Sequence, residues 1–228
     1  MGRRSAMVVI AIDGPSGSGK SSASKAVART FNWEYLDTGA LYRTLTLFAI
    51  ESNVSQISQI PKLLPKSAIR WDGNPLEPKI LLDGRNVNSE IRTMAVTNQV
   101  SEIAADPVVR AYLLEIQREI INNAARGIVV EGRDIGTTVW PDAELKIFLT
   151  ADLEARAARR SAELNEKITE GEVGAALSTR DAIDSNRSTS PLRRNDDQVV
   201  VDATHLTLNE VVDVIIAMVK ELRLSNGD

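Results

Sequence analysis

Three groups of residues in this chain could do chemistry: the run GPSGSGKS at residues 14 to 21, a set of arginines, and the acids beside them. The run has the spacing glycine, four residues, then glycine, lysine and serine. Gly14, Gly17 and Gly19 carry no Cβ, so backbone N–H groups can converge on phosphate oxygens. A helix starting there would add its own free N–H groups and its positive end. Lys20 can reach the outer phosphates of a triphosphate, and the Ser21 hydroxyl can ligate Mg2+. A chance glycine-serine loop has the same composition. This run, however, follows the apolar stretch MVVIAI and precedes the alanine- and lysine-rich SSASKAVARTF. A strand leading in and a helix leading out are the setting that a phosphate cradle needs.

A cradle holds a triphosphate but names no reaction. A guanine-reading Asn-Lys-x-Asp is absent from the sequence. A kinase acting on a phosphorylated acceptor needs a second anion pocket, because two phosphates brought together repel. Arginines offset that repulsion, since their fork is always charged and binds phosphate bidentately. Arg43 lies one turn beyond the segment DTG, and Arg133 ends IVVEGRD. Arg156, Arg159 and Arg160 share one helical stretch, while Arg180 and Arg187 bracket DAIDSN. Each alone also reads as a solvated surface charge. Arg133 fits that reading least, because it ends a buried strand on the side where such sheets bind ligands.

The elements that must position these groups follow from the pattern. The chain has 228 residues, 43% hydrophobic and 25% charged, which suits one globular domain. There is no cysteine and one histidine, His205, so no disulfide framework and no multi-histidine metal site is expected. The net charge of −4 gives no basic footprint for nucleic acid. No apolar stretch approaches the roughly 20 residues of a membrane span, and the N-terminal run reads as a strand rather than a signal. A cytoplasmic protein is expected. Apolar, β-branched strands alternate with helical stretches, which predicts a three-layer α/β fold with a mainly parallel sheet. Residues 55 to 92 break the alternation: two Asp-Gly steps between short apolar runs predict a small antiparallel lobe. Asp106 with Pro107 predicts a helix start, Thr207 with Glu210 a capping box, and Thr150 or Asp152 a third cap. The polar stretch SAELNEKITEGEVG predicts a mobile segment.

The segments IDGPSGSGK, LDTGALYR, SEIRT, VVEGRDIGTTVWPDAELKIFLTA and RDAIDSNRSTSPL, in this order, resemble the bacterial cytidylate kinases over nearly the whole chain. That resemblance implies a P-loop NTPase fold, a monophosphate-binding insert at about residues 60 to 95 and a lid at about 158 to 178. It implies transfer of a phosphoryl group from ATP to CMP or dCMP, with Mg2+, by a monomer. ATP would be held by Gly14, Pro15, Ser16, Gly17, Ser18, Gly19, Lys20, Ser21 and Ser22. Arg43, Arg133 and Arg187 match the clamp on the acceptor phosphate, and Thr38, Ser101, Arg110 and Asp134 the cytosine-reading set. Arg180 and Asp184 match the sugar contacts. Lys20, Arg133, Arg187 and the lid residue Arg159 would carry catalysis, with Ser21 on the metal and Asp37 reaching it through water. Asp13 is read as shaping the phosphate loop, His205 as structural or surface, and Trp33 and Trp71 as packing. Thr38 stands where serine is frequent, and Trp140 where phenylalanine is usual. The remaining alternatives are a UMP or shikimate kinase and a nucleotide-dependent switch.

Overall fold

The computed structural model describes residues 7–163 and 169–226. Its organising strand is β1 (Val8–Asp13), six residues, all buried. Neighbouring side chains on a strand point to opposite faces. Val9 and Ala11 therefore join one apolar cluster, and Val8, Ile10 and Ile12 the other. A strand that feeds two cores cannot alternate apolar with polar, which is why its sequence is apolar throughout until Asp13.

Four parallel partners complete this sheet: β2 (Glu34–Asp37), β6 (Gly127–Gly132), β7 (Leu145–Thr150) and β8 (Val199–Asp202). Their order is β2-β6-β1-β7-β8, with β1 in the centre. One face carries α2 (Thr38–Glu51), α4 (Met94–Ala105) and α5 (Pro107–Asn122); the other carries α1 (Lys20–Phe31) and α8 (Leu208–Asn226). The three-layer α/β architecture is thus the one expected. Asp106 caps α5 by accepting from the N–H groups of Val108 (2.8 Å) and Val109 (3.0 Å), with Pro107 at the first helical position. Such a cap is worth about 1 kcal/mol. Thr207 and Glu210 form their expected capping box, and Asp152, rather than Thr150, accepts from Ala155 N–H at the start of α6 (Leu153–Glu163).

Between α2 and α4 lies a separate sheet of β3 (Ile69–Asp72), β4 (Lys79–Leu82) and β5 (Arg85–Asn86), preceded by the short α3 (Ile60–Leu63). The two Asp-Gly steps behave differently. Asp83 (φ 48°) and Gly84 (φ 81°) make the tight two-residue turn of a β4–β5 hairpin. Asp72-Gly73 instead opens a longer connection, because the Gly73 carbonyl accepts from Tyr35 N–H (2.9 Å) and ties the lobe to β2. The polar stretch after Arg160 is largely helical: it contributes the end of α6 and the start of α7 (Glu170–Asn186), with Thr169 and Glu172 in a capping box. The expectation of mobility over residues 161–174 meets helix at 161–163 and 170–174, and its part at 164–168 lies outside the described residues.

Candidate active site

The phosphate-loop side is built from backbone. Gly14 (φ 151°) enters the loop where a Cβ would sit 2.0 Å from the Leu149 carbonyl oxygen, so no side chain fits. Gly19 (φ 91°) caps α1, and the space its Cβ would fill is open. The first N–H groups of α1 have no carbonyl within the helix to bond. Lys20 is buried, and its Nζ donates to the Pro15 carbonyl (2.6 Å) and Ser18 Oγ (3.3 Å). Burial and the nearby charge of Arg133 push this ammonium down to about 7. A phosphate arriving beside it would restore the charged form.

Acids end the neighbouring strands. Glu131 on β6 lies level with Asp37 on β2 and Ile12 on β1. It is buried, its carboxylate accepts from Tyr35 Oη, and burial with the Asp37 charge raises its pKa. Asp37 caps α2, accepting from Ala40 N–H (3.0 Å). Asp13 does not shape the phosphate loop from within, as the sequence suggested. Its carboxylate accepts from the N–H groups of Ile135 (2.7 Å) and Gly136 (2.8 Å) and from Gln198 Nε2 (3.1 Å). It therefore pins the π-helical turn Ile135–Val139 that follows Arg133 and Asp134. Burial pushes this carboxyl up to about 6.

The side facing the phosphate loop is built from ion pairs between distant segments. Arg110, from α5, donates to Asp134 (2.5 Å), and its guanidinium lies 5.4 Å from the Tyr42 ring centre. Arg187 lies 3.6 Å from Asp134 and 3.5 Å from Asp184, and donates to the Ser190 carbonyl (2.6 Å). Arg133 donates to Asp184 (2.8 Å). Burial disfavours the Asp184 carboxylate, but Arg133 and Arg180 outweigh it, and its pKa falls. Arg180 is held down to about 10 by burial and by Arg133 and Arg43. Arg43 donates to the Ile91 carbonyl and Thr97 Oγ1, both at 3.0 Å. Ser101 is half-buried one helical turn past Thr97, so it presents to the same side. Thr38 Oγ1 is turned to the Glu131 carbonyl (2.7 Å).

These side chains do not satisfy one another. Arg110 Nε, Arg180 Nε and Arg187 Nη2 are buried without a hydrogen-bond partner. Buried donors are normally paired, and three orphans in one cationic cluster call for an anionic ligand.

The three arginines of α6 separate into three roles. Arg159 donates to the carbonyls of Ala203 (2.5 Å) and Leu206 (3.1 Å), which ties α6 to the loop after β8 and away from the arginine cluster. Arg160 instead adds its charge to those of Arg43 and Arg180. Arg156 is buried against the phosphate loop. His205 is exposed; Trp33 stacks on Phe31 at 4.8 Å, and Trp71 Nε1 donates to the Tyr35 carbonyl (2.6 Å). Trp140 packs against the larger core cluster.

Sequence reasoning missed Tyr35, Glu131 and Asp181. Glu131 had a signal: an acid ending a buried strand two residues before Arg133. Among the described residues no cluster of three or more acid, histidine or cysteine side chains could hold a metal by itself. The hydroxyl of Ser21 and the carboxylates of Asp37 and Glu131 are nonetheless the hard oxygen donors that Mg2+ takes, a few at a time, beside phosphate oxygens. No described helix is long and apolar enough to cross a membrane.

A parallel sheet with a phosphate loop after its central strand, facing a pocket of under-satisfied arginines, defines a small P-loop phosphotransferase. The comparisons narrow the class. The family model for cytidylate kinase matches residues 10–221. The chain is 49% identical over 218 residues to a cytidylate kinase of Streptomyces avermitilis, covering 95% of this chain and 94% of that one. It is 40% identical over 221 residues to a cytidylate kinase of Fusobacterium nucleatum, covering 95% and 99%. Among solved structures, an uncharacterized protein from Eubacterium ventriosum superposes with a TM-score of 0.53 at 13% identity, covering 94% of this chain and 99% of that one, a likeness of fold alone. This chain belongs to the cytidylate kinase family.

Proposed function

We propose that this chain transfers the γ-phosphoryl group of ATP to CMP or dCMP, giving ADP and CDP or dCDP. An oxygen of the acceptor phosphate attacks the γ-phosphorus, and the bond from that phosphorus to the β,γ-bridging oxygen breaks. The chain supplies position and charge rather than a strong base. The loop from Gly14 to Ser22 holds the triphosphate, and Lys20 follows the moving group. Arg43, Arg133 and Arg187 hold the acceptor phosphate, with Arg180 and Asp184 at the sugar. Mg2+ bound with ATP would offset phosphate charge, with the Ser21 hydroxyl holding it and Asp37 and Glu131 reaching it through water.

The observation that carries this reading is the Arg110–Asp134 pair with the orphaned nitrogens around it. Cytosine offers N4–H2 as a donor and N3 and O2 as acceptors. Asp134 can accept from N4 while Arg110 donates to the ring. Uracil would turn its O4 towards the carboxylate with no proton between them, leaving buried polar groups unpaired. Ser101 and Thr38 complete the base-reading wall.

The test is ADP release with CMP, dCMP, UMP, AMP and shikimate. CMP and dCMP should give turnover and the others little. Preference for UMP or shikimate overturns the assignment, and acceptor-independent hydrolysis would make the chain a nucleotide-dependent switch. The proposal includes action as a monomer in the cytoplasm; light scattering at assay concentration checks the monomer.

A further inference from the structure

One helix faces both halves of this site. On α7, Arg180 and Asp184 stand one turn apart and, with Arg187 at the C-cap, serve the acceptor cluster. Asp181 is offset by about 100° and points elsewhere. Its Oδ1 accepts from the backbone N–H of Ser16 in the phosphate loop (3.2 Å). Its Oδ2 accepts from Arg156, whose same Nη1 donates to the Ser16 carbonyl (3.0 Å). One ion pair thus grips both main-chain groups of a single loop residue. Arg156 is itself anchored, since its Nε donates to the Ala151 carbonyl at the end of β7 (3.0 Å). The contact continues at Gly17, where a Cβ would lie 3.2 Å from Arg156 Cβ and 3.5 Å from Leu177 Cδ1. Ala157, Val173 and Leu177 form a small apolar cluster of their own, joining α6 to α7.

We propose that Asp181 and Arg156 are positioning residues that couple the two substrates, by bracing the phosphate loop at Ser16 against the helix that carries the acceptor contacts. Neither touches the reacting atoms. An acceptor that settles α7 through Arg180, Asp184 and Arg187 also settles Ser16, next to the Pro15 carbonyl that Lys20 contacts. By linkage, ATP binding must favour the acceptor by the same factor. A purely structural ion pair would lower stability and leave that factor unchanged.

The inference rests on the acceptor reading above. The experiment is calorimetric titration of a non-hydrolysable ATP analogue, with and without saturating CMP, on the wild type and on Asp181→Ala, Asp181→Asn and Arg156→Lys. In the wild type, CMP should tighten analogue binding at least about fivefold, within the usual range for coupled sites. In Asp181→Ala the factor should fall below about twofold, with affinity for each ligand alone changed less than about threefold. Asp181→Asn keeps an oxygen for Ser16 N–H but not the charge for Arg156, so it should fall between; it also serves if the alanine variant does not fold. Arg156→Lys should behave like Asp181→Asn. Full coupling in a folded Asp181 variant overturns the brace and leaves the reaction intact. A wild type that does not bind CMP overturns both.

Discussion

The two halves of the site are made of different material. The donor half is main chain: glycines with positive φ and one lysine parked on its own loop. The acceptor half is side chain: Arg110 reaches an acid 24 residues away in sequence, and Arg133 one 51 away. Any triphosphate presents the same oxygens, so a backbone cradle suffices. A particular base must be told from its analogues, and that takes side chains of defined charge and hydrogen-bond sense. The difference also explains where charge is left over. The lysine satisfies itself within the loop, while the arginines keep orphaned nitrogens.

Substitutions can break this contrast, starting with the largest effect. Lys20→Ala should lower kcat about 10³-fold with fold and melting curve retained, because one preorganised charge at the transfer site is worth about that much. Turnover within tenfold of wild type would remove Lys20 from the transfer step. Arg160→Ala should lower kcat about 10²-fold, whereas Arg159→Ala should mainly lower the melting temperature. The reverse order would return Arg159 to the transfer site. Asp134→Ala should lower kcat/KM for CMP about 10²-fold and residual UMP turnover far less, since only the cytosine amino group loses its acceptor. Equal losses on both would make Asp134 a structural partner of Arg110 only. The smallest effect is a proton. Lys20 is held down to about 7 in the free protein, and bound phosphates favour its charged form. ATP binding should therefore take up a proton above pH 7 and weaken as pH rises through that value, with no uptake near pH 5. Calorimetry in buffers of different ionisation enthalpy reads this directly. Uptake unchanged in Lys20→Ala would place the proton elsewhere.

Legibility in the sequence followed the same division. The backbone cradle has to be glycine-rich and has to sit between strand and helix, so GPSGSGKS exposes it locally. The α/β alternation was equally plain, because β1 and β6 are buried on both faces and must be apolar. The acceptor arginines were visible as residues at strand and helix ends, but their partners were not, since pairing depends on the fold. Asp13 illustrates the limit: it adjoins the phosphate loop in sequence yet serves the turn at Ile135, more than a hundred residues on. Asp181 carried no signal, since its partner Ser16 lies far away in sequence. Arg159 and Arg160 differ by one position, about 100° around the helix, and Arg159 is taken up by the carbonyls after β8, which a list of arginines cannot resolve. The Asp72-Gly73 step does join the antiparallel β3 and β4, but by a longer connection, since its glycine carbonyl is taken by β2.

The central position of β1 has a consequence for the birth of the protein. Val8 pairs with Gly127 on one side, and Ile10 with Leu145 on the other. During synthesis β1 can have no neighbour until β6, ending at Gly132, has left the ribosome, and not both until β7, ending at Thr150, has followed. At roughly 5–20 residues per second, that is on the order of ten seconds with an apolar strand unpaired. Parallel pairing across such a distance is also slow to close. The phosphate loop that follows β1 is thus made long before the sheet that holds it, and a nascent chain stalled before β6 would expose this apolar strand with no neighbour to receive it.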